Sequence, residues 1–168
     1  MLVVVSDTHA RDSHQLAGRT KEAVGESDMV IHAGDFVTPE AYDAFDSVCN
    51  LYGVSGNNDP PYIRDLVPME RIVEWEGFRI GVVHGHTRSR IDMAMFGRQE
   101  NLDLVIFGHS HMPEFRDGTL PLLNPGSHAN PRWYRPAHAE LTVNGDILTG
   151  RLVQPSGTLL EKFSIQQI

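Results

Sequence analysis

The sequence predicts an α/β fold in which two β-sheets pack face to face with helices on their outer sides. Three observations carry that expectation. The first two-thirds of the chain alternates strand-like β-branched runs with helical segments. The last third reads as successive hairpins. Most strand-like runs end in aspartate, asparagine or histidine, where α/β sheets hold their ligands. With 168 residues, the chain is long enough for one domain, 1–168, with a sizeable core.

The elements follow in order. Leu2–Ser6 is a continuous apolar run, the pattern of a strand covered on both faces. Gln15–Val24 is expected to be a weakly amphipathic helix, and Asp28–His32 a second buried strand. Thr38-Pro39-Glu40 is a helix start, with an N-cap threonine, proline in the first turn and then an acid; the helix should run to about Asp46. Asn50–Ser55 is a third strand, followed by the turn-rich stretch Gly56–Pro61. Arg71–Trp75 and Phe78–Val83 flank Glu76-Gly77 as a hairpin. Ile91–Gln99 reads as a helix and Leu104–Phe107 as a buried strand. Phe115–Arg116 and Leu120–Leu123 flank Asp117-Gly118; Ala139–Val143 and Ile147–Val153 flank Asn144-Gly145-Asp146; Leu159–Ile165 is a last strand.

Composition narrows the function. Hydrophobic residues make up 40% and charged residues 21%, as in ordinary globular chains. No apolar stretch approaches the roughly 20 residues of a membrane span, so no membrane partner is expected. Met1–Val5 lacks the basic flank and cleavage site of a signal peptide. Cys49 is the single cysteine, and a reducing cytoplasm is the expected location. The net charge of −8 argues against non-specific nucleic-acid binding. Only two of the 14 basic residues are lysine, which suits a high-salt cytoplasm, a GC-rich genome or a plain acidic mesophile.

Five fragments carry the chemistry: Asp7-Thr8-His9, Gly34-Asp35, Gly56-Asn57-Asn58-Asp59, His84-Gly85-His86 and Gly108-His109-Ser110-His111. Alone, each has an ordinary reading, because Gly-Asp and Gly-Asn pairs are common turns. Together, at successive strand ends, they are hard to explain as packing. Carboxylate with imidazole suits Mn²⁺, Fe²⁺, Zn²⁺, Co²⁺ or Ni²⁺. Asp7, His9, Asp35, Asn57, His84, His109 and His111 are more groups than one ion needs. They suit two ions about 3.5–4 Å apart that share a carboxylate.

In that order the motifs resemble the calcineurin-like metallophosphoesterases. The short length, Val82-Val83-His84-Gly85-His86 and Asn124-Pro125-Gly126-Ser127 are similar to the small archaeal and bacterial phosphodiesterase branch. The resemblance runs from Leu2 to about Arg132 and is weaker beyond. It implies an αββα four-layer sandwich of two mixed sheets flanked by helices. It also implies a dinuclear site, with Asp7, His9, Asp35 and His111 on one metal and Asp35, Asn57, His84 and His109 on the other. Manganese is the first choice, with nickel, cobalt, iron or zinc as alternatives. The implied reaction is attack of a bridging water or hydroxide on a small phosphodiester, with Asp35, Asn57, Asp59 and His86 as the catalytic set. Asp59 would orient neighbouring groups, and His86 would contact phosphate or donate a proton.

One departure stands out. Many family members carry histidine at the position of Asn58, and asparagine cannot act as a general acid near neutral pH. Slower turnover of substrates with poor leaving groups is the expected consequence. His32 is expected to be a satisfied core histidine, His128 a residue near the site, and Arg88 and Arg90 rim residues. Trp133-Tyr134 reads as a packed loop or oligomer contact, with base stacking as an alternative, so a homo-oligomer is a further expectation. Competing readings are a binding scaffold like the retromer subunit of this fold, a nuclease, or a monoesterase or protein phosphatase.

Overall fold

Leu2 and Val4 point one way from the first strand and Val3 and Val5 the other, and all four are buried. This alternation organises the whole architecture, because each face meets a different layer. The computed structural model describes residues 1–167. The elements are β1 (Leu2–Val5), α1 (Gly18–Glu26), β2 (Met29–His32), α2 (Pro39–Asp46), β3 (Leu51–Gly53), α3 (Pro61–Leu66), β4 (Glu70–Trp75) and β5 (Phe78–Val83). They continue as α4 (Arg90–Gln99), β6 (Leu104–Ile106), β7 (Pro113–Arg116), β8 (Leu122–Pro125), β9 (His138–Asn144), β10 (Ile147–Val153) and β11 (Leu159–Gln166).

One sheet has the order β11-β10-β9-β1-β2-β3, the other β4-β5-β6-β8-β7. Both are mixed: β1, β2 and β3 run parallel, as do β5, β6 and β8, while β9–β11 and the β4 and β7 edges are antiparallel. The main core lies between the sheets and includes Leu2, Val4 and Ile31 from one and Phe78, Ile80 and Leu104 from the other. Val3, Val5 and Val30 pack outward against Val24, Phe45 and Ile63 of the first three helices. Val105 packs outward against Met93 and Phe96 of α4. The fold is therefore the expected αββα sandwich.

Differences from expectation are local. The first helix starts three residues late because Gln15 and Gly18 both take left-handed φ, +54° and +50°. A Cβ at Gly18 would meet the Pro155 carbonyl oxygen at 2.2 Å, so this entry needs glycine. Helix α3 was not expected; two prolines obscure it, yet Pro61 stands in its first turn, where a missing N–H costs nothing. The β7–β8 connection is longer than a tight Asp-Gly hairpin, although Arg116 still pairs with Leu122. Thr38 caps α2 as expected, accepting from the Ala41 N–H at 3.1 Å. Among the described residues no helix is long and apolar enough to cross a membrane.

A polar network ties α1 to β9. Glu140 is 5% exposed and accepts from Arg19 Nε at 2.8 Å and His138 Nε2 at 3.2 Å. Thr20 lies 3.0 Å from His138 Nδ1 and completes it. The His138 contact, with Arg19, overcomes burial and holds the Glu140 carboxyl down at about 2. A depressed carboxyl stabilises the fold above its ordinary pKa and loses that contribution as pH falls through the folded value. Glu140→Gln should therefore cost about 1–3 kcal/mol at neutral pH. Urea unfolding should show the gap to wild type closing between pH 4.5 and about 2. A gap independent of pH would assign the effect to shape alone.

Candidate metal centre

Both sheets point their parallel strands at one place. Asp7 and His9 follow β1, Asp35 follows β2, Asn57 follows β3, His84 directly follows β5, and His109 and His111 follow β6. The backbone turns sharply at these positions. Asp7, His9, Asp35, His109 and His111 all take positive φ, between +50° and +67°. They are five of the ten non-glycine residues with positive φ among those described, at a cost of about 1–3 kcal/mol each. Such strain persists only where surrounding structure dictates it, and it aims these side chains inward.

The seven expected ligand residues do come together. His9 Nε2 lies 3.2 Å from Asp35 Oδ2 and 3.9 Å from Asp7 Oδ1, and His111 Nε2 lies 3.4 Å from Asp7 Oδ1. On the other side, His84 Nε2 lies 3.3 Å from Asp35 Oδ2 and 3.1 Å from Asn57 Oδ1. His109 Nδ1 also lies 3.1 Å from Asn57 Oδ1. Asp35 Oδ2 thus touches both halves. Asp7 Oδ1 stands 3.9 Å from His84 Nε2, so Asp7 also reaches the second half. Separations of this size are what neighbouring ligands on one divalent ion require, given bonds of about 2.0–2.2 Å.

The unsatisfied atoms fit a cation. Asp7 Oδ1, His9 Nε2 and His111 Nε2 are buried and have no hydrogen-bond partner. Burying such atoms bare costs about 1–3 kcal/mol each, and three of the six found among the described residues gather here. His84 Nδ1 donates to the Ala33 carbonyl at 2.7 Å, and His111 Nδ1 donates to the Asn130 carbonyl. Each ring therefore directs its Nε2 at the cluster, the orientation a metal ligand needs. Burial would depress His9, but Asp35 and Asp7 outweigh it and raise it to about 9. Burial would raise Asp35, but His84, His9 and Asn58 pull its carboxyl well below the usual range. Both shifts reflect how closely the carboxylates and imidazoles are pressed together.

Several residues position the ligands rather than join them. Asp59, 1% exposed, accepts from the N–H groups of Asp35 at 3.0 Å, Gly56 at 2.8 Å and Val37 at 2.7 Å. It fixes the Asp35 loop, and its recorded hydrogen bonds are all to backbone. Asn58 donates its backbone N–H to Asp35 Oδ1 and its amide to Asp35 Oδ2, each at 2.8 Å. His86 stacks at an angle near His84 and His109, with ring centroids 5.4 and 6.2 Å away, and is half-buried at the rim. His32 is satisfied in the core, between Thr8 Oγ1 at 2.8 Å and the Gly34 N–H, and stacked on Phe36. His128 is also spent inward, on the His14 carbonyl at 2.9 Å.

Sequence reasoning missed how the Asn124–Ser127 segment acts. Asn124 Nδ2 donates to the Gly108 carbonyl at 2.9 Å, and Ser127 Oγ donates to the Asp7 carbonyl at 2.7 Å. Their spacing gives no ligand pattern, so only the fold reveals them. Gly108 is required by close approach: a Cβ there would lie 2.1 Å from Ser6 Oγ and 2.8 Å from Asp7 Oδ2. Gly108→Ala should push Asp7 out of register. The expected result is at least a tenfold loss in affinity for Mn²⁺ or Zn²⁺, read as a smaller metal-induced rise in melting temperature. An unchanged metal response would show that Asp7 needs no such precision.

The geometry agrees with what known proteins show. Residues 1–146 match the calcineurin-like phosphoesterase superfamily domain. A probable metallophosphoesterase of Methanothermobacter thermautotrophicus is 28% identical, over 99% of both chains. One from Methanocaldococcus jannaschii is 31% identical, over 91% of this chain and 80% of that one. A phosphodiesterase of the same organism is 28% identical, over 73% and 81%. Among solved structures, Vps29 of Chaetomium thermophilum superposes with a TM-score of 0.82 at 20% identity, covering 99% and 97%. Vps29 of Entamoeba histolytica in complex with Zn²⁺ superposes at 0.76 and 22% identity, covering 97% and 98%. Motif order, ligand geometry and sequence match agree, and the chain belongs to the calcineurin-like phosphoesterase superfamily.

Proposed function

We propose that this chain is a metal-dependent phosphodiesterase that holds two divalent ions and cleaves a small diester in the cytoplasm. The observation that carries the proposal is Asp35 Oδ2, which faces His9 Nε2 at 3.2 Å and His84 Nε2 at 3.3 Å. One oxygen placed between two sets of ligands is the arrangement of a bridging carboxylate. Asp7, His9, Asp35 and His111 would hold one ion, and Asp35, Asn57, His84 and His109 the other. Manganese heads the choices, with nickel, cobalt, iron and zinc behind it. Bound ions would supply Lewis acidity to phosphoryl oxygens and a water of lowered pKa.

The chain's own residues do the rest. Asp59 fixes the loop that presents Asp35, and Asn58 holds both Asp35 oxygens in place. His86 stands at the rim beside His84 and His109 and would contact phosphate or donate a proton. Two features favour diesters. Asn58 offers no titrating proton to a poor leaving group, and one relative is named a phosphodiesterase. The net charge of −8 favours a small substrate over a polyanion.

The test is hydrolysis of an activated aryl diester beside the matching monoester, by metal-stripped protein resupplied with Mn²⁺, Ni²⁺, Co²⁺, Zn²⁺ or Mg²⁺. Diester cleavage should exceed monoester cleavage and fall by roughly 10³-fold in Asp35→Asn. No turnover with any metal, despite bound ions, would favour the scaffold reading, which the Vps29 likeness in fold keeps in view.

A separate outcome is expected of Asn58→His. The imidazole restores a titrating group beside Asp35, so rates on alkyl diesters should rise about tenfold or more, while aryl diesters change little. Equal effects on both would remove leaving-group protonation as the explanation.

A further inference from the structure

Trp133 is 94% exposed and its neighbour Tyr134 is 41% exposed. A tryptophan so bare forgoes the burial that normally pays for its presence. Its loop is anchored in the metal centre. The Asn130 carbonyl accepts from His111 Nδ1, and the Asn130 N–H donates at 2.8 Å to Ser127 Oγ, which itself donates to the Asp7 carbonyl. Two candidate ligand residues thus set the position of the loop. The Tyr134 N–H closes a turn on the Pro131 carbonyl at 2.9 Å, and Arg132 within it takes a strained φ of +54°. Arg132 lies two residues beyond Asn130, whose carbonyl accepts from His111, and its side chain is exposed.

An open groove of about 410 Å³ begins one residue beyond His111. Met112, Pro113, Trp133 and Tyr134 make apolar walls, and Arg135 and Glu161 add a donor and an acceptor. Neither Arg135 nor Glu161 forms an ion pair among the described residues, so both remain free to bind. The volume is in the range of small-molecule sites, about 300–1,000 Å³.

We propose that this groove is the subsite for the nucleoside arm of the substrate, with the base stacked on Trp133 and its polar edge met by Arg135 and Glu161. The assignment rests on the phosphodiesterase reading and names its substrate class as nucleotide diesters. Arg132 and Arg135 attract the anionic phosphate and repel a cationic head group such as choline. A flat aromatic base with hydrogen-bonding edges escapes that repulsion and presents donors and acceptors to Glu161 and Arg135. Base stacking on an aromatic side chain contributes about 1–3 kcal/mol.

The experiment compares two esters with the same leaving group, thymidine 5′-(p-nitrophenyl phosphate) and methyl p-nitrophenyl phosphate, on the metal-loaded protein. The kcat/KM ratio should favour the thymidine ester by at least about tenfold. Trp133→Ala should bring that ratio close to one, and Trp133→Phe should keep most of it. A wild-type ratio near one, or a ratio that Trp133→Ala leaves unchanged, overturns the subsite. A change in sedimentation on Trp133→Ala with no change in ratio makes the face a self-association surface and overturns it too. If neither ester is cleaved, the phosphodiesterase reading fails instead, and fluorescence decides the subsite. Trp75 is buried, so thymidine 5′-monophosphate should quench Trp133 while ribose 5-phosphate does not; equal quenching, or none, overturns it.

Discussion

Three carboxylates buried in one small volume govern this structure. Asp7, Asp35 and Asp59 are all at most 1% exposed. Like charges gathered away from water repel strongly, so each must be answered locally. Asp59 is answered by three backbone N–H groups. Asp7 has one oxygen answered, by Ser6 Oγ at 2.7 Å and the His109 N–H at 2.9 Å. Asp35 leans on Asn58 and two imidazoles. What remains bare, Asp7 Oδ1 and the imidazole nitrogens around it, is an appetite for positive charge. The protein carries that deficit where the ends of both sheets meet, and a cation is the group that would remove it.

The sandwich exists in this form because the cluster needs both sheets. Asp7 and Asp35 come from one, His84, His109 and His111 from the other. Their separations are therefore set by how Leu2, Val4 and Ile31 pack on Phe78, Ile80 and Leu104. Core packing and ligand geometry are one problem here, since interiors transmit small volume changes. Hydrogen bonds between the two sheets' strand ends tighten the joint: His84 Nδ1 donates to the Ala33 carbonyl at 2.7 Å, and the His109 N–H donates to Asp7 Oδ2 at 2.9 Å. The strained φ values of the ligand residues are sustained by these bonds and by the sheets behind them.

The long elements and the convergence of the candidate ligand residues were legible because each rests on local chemistry. Val3-Val4-Val5 announces a strand, Thr38-Pro39 a helix start, and Asp-x-His or His-x-His at a strand end a pair of converging donors. What stayed hidden depends on contacts distant in sequence. Asn124 and Ser127 look like turn residues until the fold sets them on the Gly108 and Asp7 carbonyls. The hairpins of the last third gave no hint that β9 would pair with β1 and close the first sheet. Helix α3 was masked by prolines that, in its first turn, do no harm. His128, expected near the site, is buried and donates its Nε2–H to the His14 carbonyl.

The charge balance of the mouth follows from the same logic. An acidic chain that binds an anion must keep its carboxylates inward and leave some arginines unpaired. Arg88 and Arg90, expected at the rim, are occupied by Glu70 and Glu114. Arg64 is different: it donates to the Asn57 carbonyl at 3.0 Å and forms no ion pair among the described residues. It stands by the Asn57 half of the cluster, while Arg132 lies two residues beyond Asn130, whose carbonyl accepts from His111. Both are exposed, where a net charge of −8 would otherwise repel a phosphate. The two guanidiniums therefore offset part of that opposing charge on the two sides of the cluster to which their segments are tied.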